Sequence, residues 1–322
     1  MTVAVLYACV YAAGVDAVAA LLEGPRARGA FLLRSSLDPP WCLRIQDEAP
    51  LTVVAVVRGH AWLQAGTEPA RLEQGDLAVL RGPDPYELAD RPGRSPTAVV
   101  HPGQHCTTLS GRPLVDLAAQ GVRSWGNSPD GSTQLLTGTY QLRSAVSRRL
   151  LAALPAQLHI AAEGGDPLVP YLAEQIQRDA PGQEAVLDRL LDLLLASAIR
   201  TWLSGPAERT PGWVRAQGDP VVGPAVRLMH DDPAHPWTVA LLARRTGVAR
   251  ATFARRFGEV VGEPPMAFLT SWRLTLAADL LREPGATVDA VARQVGYGTG
   301  FALSTAFKRV RGVTPSEHRL SA

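Results

Sequence analysis

The chain is poor in lysine, in cysteine and in long apolar runs. Lys308 is the only lysine among 322 residues, so nearly all of the positive charge is carried by arginine. Three cysteines, Cys9, Cys42 and Cys106, do not suggest a disulfide framework. No apolar run is long enough to cross a bilayer. These absences argue against a disulfide-stapled secreted module and against an integral membrane protein.

The first residues, MTVAVLYACVYAAGVDAVAALLEG, are apolar but lack the basic segment that precedes the apolar part of a secretory signal. Asp16 also interrupts the run. We therefore expect an ordinary helix from Val15 to Leu22, and a soluble cytoplasmic protein without a membrane partner.

The net charge of +2 is unevenly distributed along a chain that is long enough for two domains. Residues 219–322 carry 13 Lys and Arg against 9 Asp and Glu, whereas residues 1–218 carry 19 against 21. A basic C-terminal part is what contact with phosphates would favour.

A near-repeat occupies this basic part. TVALLARRTGV, from Thr238, returns as TVDAVARQVGY, from Thr287, at an offset of 49 residues. The match resumes at offset 50, where Phe253, Phe257, Gly262 and Pro265 correspond to Leu303, Phe307, Gly312 and Pro315. Each copy predicts a short helix, a turn at Gly247 or Gly296, and a second helix with an apolar seam. This pattern is typical of a helix-turn-helix, here used twice.

Helical spacing predicts which side chains of the two second helices face outward. Phe253, Phe257, Val260 and Val261 form one inward stripe, and Leu303, Phe307 and Val310 form the other. Ala251 and Arg255 are then outward in the first copy, and Phe301 and Thr305 in the second. Arginine can bind guanine through two hydrogen bonds, whereas threonine offers a hydroxyl and a methyl. We therefore expect more base readout from the first copy.

The predicted DNA-contacting residues are Arg250, Ala251, Thr252, Arg255, Arg256, Gly300, Phe301, Ser304, Thr305, Lys308 and Arg309. The predicted phosphate contacts are Arg250, Arg256, Lys308, Arg309 and Arg311. For any single arginine the alternative is a solvated surface charge. Between the copies, PPMAFLTSWRLTLAADLLRE predicts a helix with Met266, Leu269, Trp272, Leu276 and Leu280 on one face. It should hold the two recognition helices about one DNA turn, roughly 34 Å, apart.

The stretches LLARRTGVARATFARRFGEVVGEPP and VDAVARQVGYGTGFALSTAFKRVRGVTPSEHR resemble the DNA-binding domain of the AraC/XylS family of bacterial transcription regulators. The resemblance implies promoter DNA as a partner and RNA polymerase as a further candidate partner. It departs at Thr305, where the family often has arginine, and at Gly300, where an acidic residue is common.

From Gly29 to Leu142, short β-rich runs alternate with Gly, Pro and Asp, which favours an antiparallel barrel or sandwich. LTVVAVVRGHAWLQAG and ARLEQGDLAVLRG resemble a cupin sensor domain of the kind found ahead of AraC-type domains. The implied fold is α+β: a cupin-like antiparallel β-barrel with a helical region, then an all-α domain with two helix-turn-helix units. We expect domains at 1–203 and 220–322, with a Gly- and Pro-rich linker at 204–219.

Many cupins are metalloenzymes, but the metal motifs are incomplete here. Only His60 follows Gly59, and Tyr86 stands at a usual histidine position. His101, His105 and Cys106 remain a candidate metal cluster, and a cupin-type metalloenzyme fused to a DNA-binding domain is the alternative function. We favour a regulator with no enzymatic activity, metal or cofactor, whose barrel senses a small molecule or an oxidant. The candidate pocket residues are Trp41, Arg44, Trp62 and Tyr86, and the candidate redox sensors are Cys42 and Cys106.

The helical region at about 144–203 is the predicted dimerisation element. Leu187, Leu190, Leu191, Leu194, Ala198 and Trp202 form a broad apolar face in its last helix. Part of this face should cover the barrel, and the rest is a candidate homodimer interface. The alternative is that these helices are wholly internal.

Overall fold

The structure, a computed structural model, describes residues 31–66, 68–114, 118–121, 123–140, 151, 154–161, 166–205, 212, 216 and 218–320. The described residues form two compact units that divide between Ser204 and Gly205. Cys9, the predicted helix at Val15–Leu22, the residues at 144–150 and most of the predicted linker lie outside the described residues.

Two β-sheets build the first unit. The strands are β1 (Phe31–Leu37), β2 (Cys42–Ile45), β3 (Leu51–Arg58), β4 (His60–Gln64), β5 (Ala70–Glu73), β6 (Leu77–Arg81), β7 (Tyr86–Ala89), β8 (Ala98–Val100), β9 (Cys106–Thr107), β10 (Ala118–Ala119), β11 (Ser124–Gly126), β12 (Thr133–Tyr140) and β13 (Gln157–Ile160). One sheet has the order β10-β11-β1-β12-β3-β6-β13, and the other β5-β4-β7-β2-β8-β9. The short β-rich runs of the sequence are therefore confirmed as strands.

Most strand pairs are antiparallel, as the sequence predicts, but each sheet also contains one parallel pair. β1 runs parallel to β11, and β2 runs parallel to β8, while the other described pairs are antiparallel. Parallel neighbours must be joined by long connections, so hairpins alone cannot build these sheets. The apolar side chains between the sheets form one buried cluster that includes Leu37, Val54, Leu63 and Leu80.

Two helices, α1 (Leu168–Gln175) and α2 (Gln183–Leu203), follow the sheets. Gly138 on β12 lies beneath Leu191 of α2, since an added Cβ there would come within 2.5 Å of the leucine side chain. The hydroxyl of Tyr140, two residues further along β12, donates to the Leu191 carbonyl at 2.8 Å. α2 is thus fixed to the sheet by packing and by a buried hydrogen bond.

The predicted dimer face of α2 is for the most part internal. Leu187, Leu191, Leu194, Ala198 and Trp202 are buried within this chain, with Leu191 only 2% exposed. The stripe is occupied by the unit's own core because sheet and helix each have one apolar face to cover. Val186 and Leu193, on the other side of the helix, are exposed instead.

Seven helices are described in the second unit: α3 (Val222–Asp231), α4 (Val239–Arg245), α5 (Arg250–Val261), α6 (Pro265–Leu280), α7 (Val288–Gln294), α8 (Gly300–Arg311) and α9 (Pro315–Leu320). The two copies of the repeat begin and end their helices in the same way. Thr238 and Thr287 cap α4 and α7 by accepting from Leu241 N at 3.1 Å and Ala290 N at 3.2 Å. Gly262 and Gly312 end α5 and α8 with φ values of 91° and 77°, a conformation that glycine adopts without strain.

α6 connects two separate cores, one in each repeat. Phe268 and Leu269 belong to the first core with Phe253 and Phe257, whereas Leu274 and Ala277 belong to the second. The predicted face of α6 is at least partly buried throughout, but it is not the whole of the buried surface, because this helix is buried on different sides along its length. Val310, placed in the inward stripe of α8, is also exposed.

An ion pair holds the start of the second unit against α5. Asp219 accepts from Arg256 Nε at 3.0 Å and from its Nη2 at 2.9 Å. The same carboxylate accepts from the backbone amides of Val221 and Val222 at the start of α3. Asp219 and the fully buried Ala216 fall within the predicted linker, but both pack into this unit. No described helix has the length and apolar character needed to cross a bilayer.

Removal of the Asp219–Arg256 pair should destabilise the second unit. Burial alone would raise the pKa of Asp219, but hydrogen bonds from Arg256, Val222 and Val221 hold it below its ordinary value. A carboxyl whose folded pKa is lowered stabilises the fold above its unfolded pKa, about 3.9, and loses this effect as pH falls through the folded value. We expect Asp219→Asn to lower the Tm of the full-length chain at pH 7, and the gap to wild type to narrow below about pH 4.

The matched control is Arg255→Ala, one residue away on the exposed face of α5, which should leave the Tm close to wild type. Thermal melts followed by circular dichroism between neutral and acid pH give all three curves. A gap between Asp219→Asn and wild type that widens toward acid pH would contradict this assignment.

Candidate functional sites

The outward face of α5 presents the residues predicted for the first DNA reader. Arg250, Ala251, Thr252 and Arg255 are all exposed. Arg255 donates to Glu259 at 2.7 Å, one helical turn away, while 68% of its side chain stays accessible. Exposed pairs of this kind are worth about 0–1 kcal/mol, so the guanidinium can exchange Glu259 for another acceptor.

Two predicted DNA contacts are already engaged within the fold. Arg256 binds Asp219, 37 residues earlier, while 43% of its side chain stays exposed. Gly300 is buried, and its amide donates to Asp289 Oδ1 at 2.8 Å. A Cβ at position 300 would lie 2.5 Å from that oxygen, so a larger residue there would require the Asp289 side chain to move.

The outward face of α8 is chemically unlike that of α5. Phe301 is 83% exposed, and Thr305 is exposed one turn later. The Thr305 hydroxyl donates to the Phe301 carbonyl at 3.0 Å, so its proton is already engaged within the helix. What α8 offers outward at these two positions is mainly an aromatic ring and a methyl group.

Basic residues follow along α8. Lys308 and Arg309 are exposed, whereas the guanidinium of Arg311 lies 5.7 Å from the centre of the Phe307 ring. Ser304 is half-buried, and its hydroxyl donates to the Gly300 carbonyl at 2.7 Å. Lys308 and Arg309 are thus accessible from solvent, and Ser304 faces partly into its own helix.

A cavity of about 320 Å³ lies between the two sheets of the first unit. Its apolar lining consists of Leu33, Leu43, Ile45, Leu88, Val100, Trp125 and Leu135. Its polar lining consists of Ser35, Asp47, Cys106, Thr137 and Thr139. Strands of both sheets contribute, since β1 and β12 face β2, β7 and β8 across it. This lining, mostly apolar with a few polar groups, is typical of a small-molecule site.

None of the four predicted pocket residues lines this cavity. Trp41 is buried in the core, and Tyr86 lines only a much smaller void of about 30 Å³. Arg44 is exposed and faces Glu87 on the neighbouring strand, because its neighbours Leu43 and Ile45 are the inward residues of β2. Trp62 is half-buried between the inward residues Ala61 and Leu63 of β4. Strand alternation could have paired Leu43 with Ile45, but no sequence signal indicates Asp47 or Trp125.

The two candidate sensor cysteines are held as neutral thiols. Burial, together with the carboxylates of Glu87 and Asp90, raises the pKa of Cys42 to about 11. Burial also raises the pKa of Cys106, which lines the cavity. The thiolate is the form that reacts with oxidants, so these surroundings do not favour redox sensing.

The side chains around His101 and in the cavity do not form a set of metal ligands. Both ring nitrogens of His101 are engaged, Nδ1 with Gln46 at 3.1 Å and Nε2 with Thr107 at 2.8 Å. Within the described part of the chain, no three His, Cys, Asp or Glu side chains are grouped so as to hold an ion. The cavity contributes one carboxylate and one thiol but no imidazole. A cupin metal centre therefore does not fit these residues.

Comparisons with known proteins agree with this arrangement. The family profile described as Cupin matches residues 16–204, and that described as a helix-turn-helix domain matches residues 242–321. An AraC-like transcription regulator of Streptomyces lividans is 31% identical over 286 residues, which are 87% of this chain and 90% of that protein. The transcriptional activator RclR of Escherichia coli is 29% identical over 195 residues, 58% of this chain and 68% of its own length.

Among solved structures, the DNA-binding domain of AdpA in complex with a target DNA matches with 31% identity and a TM-score of 0.31. The match covers 32% of this chain and 93% of that domain. The relatives named here are transcription regulators and not enzymes. The chain therefore belongs to the AraC-like transcription regulators, with an N-terminal cupin domain and a C-terminal helix-turn-helix domain that binds DNA.

Proposed function

We propose that α5 and α8 read two successive segments of promoter DNA by different chemistry, and that the cavity of the cupin domain binds the signal. The observation that carries the proposal is the pair of exposed faces at equivalent positions of the repeat. Arg255 and Thr305 correspond at an offset of 50 residues, as do Ala251 and Phe301. A regulator of this kind acts in the cytoplasm, where the chromosome lies. Contact with RNA polymerase remains an expectation from the family resemblance.

The first reader recognises guanine. Arg255 can place two hydrogen bonds on the major-groove edge of guanine, which is the commonest specific contact in protein–DNA complexes. Its ion pair with Glu259 keeps the guanidinium on the outer face before DNA arrives. Arg250 lies at the start of the same helix, where a phosphate contact fixes register.

The second reader recognises thymine. The Phe301 ring and the Thr305 methyl are apolar, and thymine is the base whose major-groove edge carries a methyl group. An aromatic ring that is 83% exposed in the free protein gains from burial against that methyl. Lys308 and Arg309, further along α8, then supply phosphate contacts.

The proposed homodimer interface lies on another face of α2 than the sequence suggests. Val186, Leu190 and Leu193 are spaced as i, i+4 and i+7, so they share one side of the helix. Val186 and Leu193 are exposed, whereas Leu191 and Leu194 are buried in the chain's own core. A second copy of the cupin domain is the proposed occupant of this row.

Loss of Arg255 should weaken specific binding more than loss of Thr305. We expect Arg255→Ala to cost roughly 1–3 kcal/mol on the preferred duplex and to relax preference at one base pair, with Thr305→Ala costing less. Fluorescence anisotropy with a duplex selected in vitro by the full-length protein measures both. Arg309→Ala is the control: it should weaken all duplexes alike and reduce the salt slope by about one. An equal or larger loss for Thr305→Ala would reverse the ranking of the two helices.

The thymine contact can be tested on the DNA itself. Deoxyuridine lacks only the 5-methyl of thymidine, so its substitution under α8 should weaken wild-type binding by about fourfold, the effect of one buried methyl. Phe301→Ala should bind more weakly and become indifferent to the substitution. The same replacement under α5 serves as the control. A penalty that persists undiminished in Phe301→Ala would assign the methyl contact to another residue.

Charge on the exposed row of α2 should dissociate the dimer without unfolding it. Leu193 is 52% exposed, so we expect Leu193→Glu to give folded monomers. Leu191→Glu, two residues away, should instead lose the fold because it buries a charge. Sedimentation velocity with circular dichroism distinguishes the two outcomes. A wild-type protein that sediments as a monomer at micromolar concentration would remove the dimer.

A further inference from the structure

Two polar groups of the cavity lining are available to a ligand. The indole Nε1 of Trp125 is shielded from solvent, and no described residue accepts its hydrogen bond. Asp47 is half-buried, and its Oδ1 accepts the Ala49 amide at 3.2 Å. A buried donor without an acceptor is costly, so an acceptor on a bound molecule is a natural partner for the Trp125 indole.

The charge of the lining has one sign. Asp47 is the ionisable carboxylate among the twelve lining residues, which contain no Lys, Arg or His. A carboxylate facing an apolar space attracts a cation more strongly than it would in water, and it repels a second anion. The cavity therefore favours a positively charged ligand and disfavours a carboxylic acid.

The size of the cavity limits the ligand further. About 320 Å³ corresponds to about ten non-hydrogen atoms at the density of liquid water. One compact ring or a short branched chain fits this space. The six aliphatic residues of the lining also offer few partners for a sugar with many hydroxyls.

The geometry points to a small primary amine with a compact apolar body as the class of molecule that the cupin domain senses. The ammonium group would bind Asp47, the body would fill the space between Leu43, Leu88 and Leu135, and an acceptor on the body would meet Trp125 Nε1. This inference rests on the proposed function, in which the cavity binds the signal. It adds the charge and the size of that signal.

Isothermal titration of the full-length chain with three probes of nearly equal size tests the inference. The probes are 2-phenylethylamine, 2-phenylethanol and phenylacetate, which are cationic, neutral and anionic at pH 7. We expect the amine to bind about tenfold more tightly than the alcohol, as a charge-assisted hydrogen bond predicts, and phenylacetate to bind most weakly. The order of the three affinities needs no variant, so it decides the inference even if substitutions impair folding.

Variants then locate the preference. Asp47→Asn keeps an oxygen for the Ala49 amide and should bring the amine to the affinity of the alcohol without changing the alcohol itself. Glu48→Gln is the matched control: Glu48 is exposed and does not line the cavity, so the order should be unchanged. Thr137→Phe, which fills the space, should abolish binding of amine and alcohol together.

The possible failures are distinguishable. If the alcohol binds as tightly as the amine, and Thr137→Phe abolishes both, the amine inference is overturned while the cavity stands as a ligand site. If no probe binds, or if Thr137→Phe leaves binding intact, the proposed sensing cavity fails as well. An amine preference that survives in Asp47→Asn would also overturn the inference.

Discussion

The first unit depends on the alternation of side chains along β12. Leu135, Thr137 and Thr139 point between the sheets and line the cavity. Gly138 and Tyr140, on the opposite face, receive α2. Because successive residues of a strand point to opposite faces, this single strand forms both a wall of the cavity and the platform of the helix. A shift of its register by one residue would exchange these two surfaces completely.

The second unit shows how much of a helical fold local sequence can determine. The caps at Thr238 and Thr287, the turns at Gly247 and Gly296, and the buried pairs Phe253–Phe257 and Leu303–Phe307 are all visible as a repeat. Each depends on neighbours within a few positions, so the spacing of residue types is enough to predict it. The outward positions of the two second helices follow from the same periodicity, and Arg255, Phe301 and Thr305 are exposed as it predicts.

Features that depend on distant partners could not be predicted in this way. Arg256 has the same helical spacing from the seam as a surface arginine, and only the fold brings Asp219 to it. The Gly300 amide is likewise bound by Asp289, which approaches from the preceding helix. The predicted pocket residues differ from the observed lining for a related reason: Trp41 and Tyr86 are large side chains, and in this fold they fill the core. Asp47 and Trp125 line the same cavity only because the two sheets face each other.

The Asp219–Arg256 pair attaches the start of the second unit to α5 and not to α8. The chain enters the second unit through Ala216 and Asp219, which pack on the first core and bind α5 directly. The start of α8 is secured by Asp289, a residue of its own helix-turn-helix. A force transmitted along the entering chain would therefore act on α5 before it reached α8. The helix proposed to read guanine is thus the one that the entering chain holds directly, whereas the length of α6 separates the helix proposed to read thymine from that contact.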